Sequence, residues 1–168
     1  MKAKGTPDIS TRASLRYLSS INPPPNQTRP RIFGLVDFDP YGIGILSTYK
    51  YGSIRLAHEN AHLTVPSISW LGVQSQDLYS KESDDESDLL RLTARDRRIA
   101  VKMLERPTFA EDGPEPMWRR ELQIMLMLNT KAEIQHLSSR EGGLEKWLQD
   151  KLLVELSAAE ESLKTKSA

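Results

Sequence analysis

The 168-residue sequence contains no cysteine, which excludes disulfides, thiolate zinc sites and thiol catalysis and leaves the redox compartment open. It has no apolar run long enough to span a membrane, and its N-terminus lacks the apolar core of a secretory signal, so no membrane association is expected. It also has no net charge, with 23 basic residues against 23 acidic ones. What is present is ordinary for a soluble folded protein: 38% hydrophobic and 27% charged residues, in a length that suits one domain with a real core.

Against that background the most informative stretch is Val36-Asp37-Phe38-Asp39-Pro40-Tyr41-Gly42, which sets two carboxylates two residues apart at the end of an apolar run. Ile32, Phe33, Leu35 and Val36 read as a short buried strand, and Pro40 with Gly42 marks the turn that ends it. Strand side chains alternate faces, so Asp37 and Asp39 lie on one side if the strand continues that far. A hard divalent cation such as Mg²⁺ relieves the repulsion between such a pair and keeps waters that a phosphate substrate can replace. The strand's carboxyl end is also where open α/β sheets place their ligands. The plain alternative is a solvated Asp-rich turn without metal.

The balanced total conceals a mild asymmetry. Residues 1–58 hold eight basic groups (Lys2, Lys4, Arg12, Arg16, Arg29, Arg31, Lys50, Arg55) against Asp8, Asp37 and Asp39, and the remainder of the chain is acidic in compensation. Cations around a metal-type carboxylate pair suit a phosphodiester substrate.

The coarse pattern begins with a helix over about 10–20, followed by an extended connector through Pro23, Pro24 and Pro25. The strand at 31–37 leads into a helix over 41–51 closed by Gly52; Gly42 and Gly44 weaken its start and suggest close backbone approach to a ligand. A helix over 54–63 stops before Pro66, and 67–73 reads as a second strand, so strand, helix and strand imply a parallel sheet. The acidic stretch 81–88 reads as a solvated loop. Helices are expected over 93–106 with Thr93 as N-cap, 115–128, 131–137 and 144–156, with Met117, Met125 and Met127 as core filler or a packing face.

His58-Glu59-Asn60-Ala61-His62 matches H-E-x-x-H, the pattern of a zinc helix whose glutamate acts as base. Such a site needs a third ligand, yet the only other histidine is the distant His136, and Pro66 cuts the helix short. An ordinary helix face with chance spacing is the favoured reading.

The order of short motifs is more specific than any one of them. Lys4-Gly5-Thr6-Pro7-Asp8, Thr11-Arg12, Leu35 to Gly42, Tyr49-Lys50-Tyr51-Gly52-Ser53 and Leu56-Ala57-His58-Glu59 follow one another. Then come Pro66, Trp70-Leu71-Gly72, Leu104-Glu105-Arg106-Pro107, Trp118 to Leu122, Lys131-Ala132-Glu133-Ile134-Gln135 and Lys151-Leu152. The series resembles the A subunit of DNA topoisomerase VI and its meiotic double-strand-break relatives over nearly all of the chain.

That resemblance implies an α/β Toprim-type, Rossmann-like parallel sheet flanked by helices, with a helical C-terminal part. A Toprim domain over 1–156 and a polar tail over 157–168 are expected. It implies Asp37 and Asp39 as Mg²⁺ ligands; Lys4, Arg12 and Lys50 then read as neighbours of DNA phosphates or, equally, as structural or surface residues. It implies a dimer that cuts both strands of DNA through a tyrosine, leaving a 5′-phosphotyrosyl link, together with a topoisomerase VI B-like partner. In the family the nucleophilic tyrosine and a third acidic residue lie upstream of the Gly-x-Pro-Asp segment. None of Tyr17, Tyr41, Tyr49, Tyr51 or Tyr79 is therefore assigned as nucleophile. The first strand of the sheet is expected to be missing, which would expose an edge, and the chain alone is expected to be inactive. The acidic insert and the added length near 111–114 favour the meiotic role, in the nucleus. The alternatives are the topoisomerase VI A subunit, in the cytoplasm or nucleoid, and a non-catalytic DNA-binding or dimerisation fragment.

Overall fold

A computed structural model of the protein describes residues 7–25, 27, 29–78, 89–139 and 142–166. Lys4, Tyr79 and the acidic stretch 81–88 lie outside the described residues.

The first element, α1 (Ile9–Ser20), starts where Asp8 accepts the Thr11 amide, an N-cap that the sequence places directly before the periodic run. After the triple-proline connector, β1 (Phe33–Gly34) pairs in parallel with β2 (Ser69–Trp70). The ladder extends past these short strands through the amides of Ser69, Leu71 and Val73, which donate to the carbonyls of Ile32, Gly34 and Val36. Gly72 sits in this ladder because a Cβ there would lie 2.1 Å from the Val36 carbonyl oxygen.

Between the paired strands run α2 (Pro40–Tyr51), a 3-10 stretch (Ile54–Glu59) and the single-turn α3 (Asn60–Leu63). The expected continuous helix over 54–63 is therefore broken. Asn60 accepts the Ser53 amide and donates to the Ser53 carbonyl, a tie across the preceding turn that occupies its side chain.

The chain then forms α4 (Ser75–Leu78), β3 (Leu90–Arg91), α5 (Ala94–Leu104), a 3-10 turn (Pro107–Phe109), α6 (Pro116–Leu128), β4 (Thr130–Lys131), a 3-10 stretch (Ile134–Ser139) and α7 (Gly143–Lys166). Thr93 caps α5 in a complete capping box with Asp96, as its position predicts. The helix expected over 131–137 is instead an antiparallel strand, β4 against β3, followed by 3-10 turns. Asn129, in the left-handed conformation, ends α6 and lets the chain turn into that strand. The strands thus form one parallel and one antiparallel pair, joined where Phe38 bridges Ala132. α7 continues ten residues beyond the expected helix end at Leu156.

Seven α-helices among the described residues surround these small strand pairs. The core gathers Phe38, Ile43, Leu46, Val65, Val73, Met103, Leu122, Met125 and Leu137, with Trp118 edge-on to Trp70. Of the three methionines read as one packing group, only Met125 is interior; Met117 and Met127 are exposed. None of the helices, among the described residues, is long and apolar enough to cross a membrane.

Candidate functional site

Beyond Val36 the chain leaves the parallel ladder and runs through Asp37-Phe38-Asp39 into α2. Phe38 is fully buried, and its backbone exchanges two hydrogen bonds with Ala132, at 2.9 and 3.0 Å. Alternation then turns the flanking Asp37 and Asp39 to the opposite face, where both are half-buried. The antiparallel bridge sets Asp39 across from Lys131 and Asp37 across from Glu133.

Each carboxylate is oriented by one backbone amide. Asp37 Oδ1 accepts from the Ile134 amide at 2.8 Å, so the turn after β4 holds it from 97 residues away. Asp39 is the N-cap of α2, accepting from the Gly42 amide, with Pro40 in the first turn where its missing N–H costs nothing. Gly42 is required here. A Cβ would stand 2.7 Å from the Asp37 carbonyl oxygen and 3.1 Å from Asp39 Oδ1. The close approach that the glycine permits is thus to the protein's own carboxylate turn.

Burial pushes the Asp39 carboxyl above its ordinary range; the neighbouring charge of Asp37 adds to this, while the Gly42 amide and Lys131 work against it. Lys131 is committed elsewhere, its Nζ 2.9 Å from Asp96 Oδ2. Burial also opposes ionisation of Asp96, but hydrogen bonds from Lys131 and Thr93 outweigh it and hold that carboxyl below its usual value. Among the described residues neither Asp37 nor Asp39 has an ion-pair partner, and no three acidic or histidine side chains converge on one point. A desolvated pair of oxygen donors without a counter-ion fits a hard divalent cation held by two carboxylates and completed by water or phosphate oxygens.

The cations expected near phosphates are placed differently. The Arg12 guanidinium is enclosed, with 1% of the residue exposed, and donates to the Leu63 carbonyl and Asn60, tying α1 to α3. Lys50 Nζ lies 2.5 Å from the buried Glu115 and over the rings of Tyr51 and Trp118. To reach a phosphate, each would have to leave the partner it holds here. The Tyr51 hydroxyl donates to Glu115 as well, and burial together with that bond pushes its pKa strongly up. His58 and His62 are exposed on separate short elements, His58 in the 3-10 stretch and His62 in α3.

Sequence reasoning misses Ile134, Lys131 and Asp96 as parts of this site. The only available signal is the short run 131–134, which reads as helix on its own. A separate surface hollow lined by Trp70, Asp77, Trp147 and Lys151 shares no residue with the carboxylate pair.

The family model for the Toprim domain of Spo11 and the topoisomerase 6 A subunit matches residues 1–152. The chain is 43% identical over 136 residues to meiotic recombination protein SPO11-1 of Oryza sativa subsp. indica, covering 81% of this chain and 33% of that protein. It is 41% identical over 135 residues to human meiotic recombination protein SPO11, covering 80% and 32%. To the DNA topoisomerase 6 A subunit of Arabidopsis thaliana it is 39% identical over 137 residues, covering 82% and 30%. The chain thus spans about a third of the length of these relatives. On its motifs, its mixed α/β fold and these matches, the chain belongs to the family of Spo11 and the topoisomerase 6 A subunit, and consists largely of that family's Toprim domain.

Proposed function

We propose that this chain is the metal-holding part of a DNA transesterase that makes double-strand breaks, with Asp37 and Asp39 as its Mg²⁺ ligands. The observation that carries the reading is the pair itself: two half-buried carboxylates on one face, each held by a backbone amide and, among the described residues, neither by a cation. Bound there, Mg²⁺ would offset the charge that develops on a scissile phosphate. Asp39 is kept in place by the α2 N-terminus, and Asp37 by the turn after β4, so the two oxygens are positioned before any ligand arrives.

In the reaction proposed, a tyrosine oxygen bonds to phosphorus as the bond to the 3′ oxygen breaks. The protein is left linked to the 5′ phosphate, and the departing oxygen takes a proton. Burial pushes the hydroxyls of Tyr49 and Tyr51 up in pKa, and the Tyr51 hydroxyl is engaged by Glu115, which weighs against either as the attacking group. On this reading the chain alone binds the cation without cleaving DNA, the attacking tyrosine being the one that the family carries upstream of the Gly-x-Pro-Asp segment and the cut through both strands needing a second copy. A meiotic role in the nucleus is supported by the similarity to the rice and human meiotic recombination proteins. The similarity to the Arabidopsis topoisomerase supports the second reading, in which a B-like ATPase partner couples cleavage to strand passage.

Titration calorimetry with Mg²⁺ on the 168-residue chain tests the site. Saturable binding is expected, and it is lost when Asp37→Asn and Asp39→Asn are combined. Equal binding by the double variant would overturn the assignment.

A further inference from the structure

The longest concentration of unpaired positive charge in the described protein is not at any of the cations read from the sequence motifs. It lies on α5 and its flanks, where residues 91–106 carry Arg91, Arg95, Arg97, Arg98, Lys102 and Arg106 against only Asp96 and Glu105. All six cations are exposed, and among the described residues none holds an ion pair or a hydrogen bond through its side chain.

Helical geometry sorts them. α5 buries Asp96, Ala100 and Met103 against α2 and α6. Arg95, Arg98 and Lys102 follow one another at spacings of three and four residues, so they form a single row on the outward side, about 10 Å long at 1.5 Å per residue. Arg91 and Arg106 extend the chain of charge at the two ends. Like charges one turn apart destabilise a helix, and α5 carries no interleaved acid on this row to relieve them. The interior acid is spent differently: Asp96 completes the capping box and pins Lys131, the residue set across from Asp39.

From this we infer that the outward row of α5, Arg95, Arg98 and Lys102, is a tract that binds the phosphate backbone of duplex DNA. The inference rests on the DNA reading above and adds to it a surface and its residues. Three cations in a row, with no aromatic side chain or amide among them, recognise a regular polyanion and not a base sequence.

The test is fluorescence anisotropy with the full 168-residue chain and a labelled duplex, in chelator, between about 50 and 200 mM salt. The combined variant Arg95→Gln, Arg98→Gln, Lys102→Gln alters only exposed side chains, and circular dichroism checks that it folds. Its affinity should fall at least about tenfold, equally for unrelated sequences, and the slope of log K against log salt should fall by about 3, roughly one for each phosphate contact removed. The charge-keeping variant Arg95→Lys, Arg98→Lys should retain the slope. An unchanged slope in the glutamine variant, with wild type binding normally, overturns the tract alone. Absence of duplex binding by wild type overturns the DNA reading together with it. Tighter binding of single-stranded RNA or poly-glutamate than of duplex at equal salt overturns the choice of DNA.

Discussion

Two sets of carboxylates in this protein are treated in opposite ways. In the scaffold set, Glu115 receives Lys50 and the Tyr51 hydroxyl, Glu121 receives the amide and hydroxyl of Ser75, and Asp96 receives Lys131 and the Thr93 amide. In the site set, Asp37 and Asp39 have one backbone amide each and face the same side of the chain. A buried carboxylate with its full complement of donors holds helices together; one left short of positive charge raises the energy of the empty protein and lowers it when a cation arrives. This difference is what supports Asp37 and Asp39 as the proposed cation ligands.

The largest expected effect comes from the one residue that serves both sets of requirements. Phe38→Ala empties a fully buried position between Asp37 and Asp39, and should cost about 3 to 5 kcal/mol in denaturant unfolding while also abolishing Mg²⁺ binding. If stability fell and cation binding survived, Phe38 would not be what sets the two carboxylates on one face.

Next in size, Glu115→Ala leaves the Lys50 ammonium and the Tyr51 hydroxyl without their partner. Because Lys50 is partly exposed, the expected loss is about 2 to 3 kcal/mol. Asp39→Asn should change metal-free stability by less than about 1 kcal/mol, since asparagine caps a helix as well as aspartate and the repulsion from Asp37 disappears. Its cost should appear only with the cation: at Mg²⁺ about ten times the dissociation constant, wild type gains about 1.4 kcal/mol and the variant gains nothing. Equal losses for Glu115→Ala and Asp39→Asn in metal-free buffer would erase the contrast between the two sets.

The smallest effect is in pH. The hydroxyls of Ser10 and Thr11 and the Thr11 amide hold the Asp8 carboxyl well below its ordinary value, and Asp96 is lowered as well. Folded-state values below the unfolded ones give stability that is present above about pH 4 and lost as pH falls through the folded values. Asp39 runs the other way: its raised carboxyl favours the folded state when protonated and loses that advantage as pH rises through its folded value. Acid unfolding should therefore be steeper for Asp39→Asn than for wild type, and shallower for Asp8→Asn. Identical acid profiles for all three would remove the electrostatic basis of the comparison.

Local signals are legible wherever they need no distant partner. The Thr93 capping box, Pro40 at the first turn of α2 and Gly52 beyond its end all act through their own backbone neighbours, and α2 and α5 fall where those signals place them. The parallel pairing of β1 and β2 is legible from the order of elements. By contrast, 131–137 reads as helix in isolation but becomes the end of β4 and 3-10 turns, because β3 and Phe38 supply the hydrogen bonds of its backbone. For Lys50 and Arg12 the phosphate-neighbour and structural readings stay equally open in the sequence, since nothing near them shows Glu115 or the Leu63 carbonyl waiting across the fold.

The sequence by itself determined the Asp-Phe-Asp alternation, the helix that follows it and the family to which these motifs belong, because each depends on neighbouring residues or on their order. Only the tertiary structure decided which charges remain available. It closed Arg12 and Lys50 into the scaffold, left the α5 row facing outward, and brought Ile134 and Lys131 to the carboxylate pair. Whether a charge is spent or free depends on partners dozens of residues away, and packing alone sets that distance.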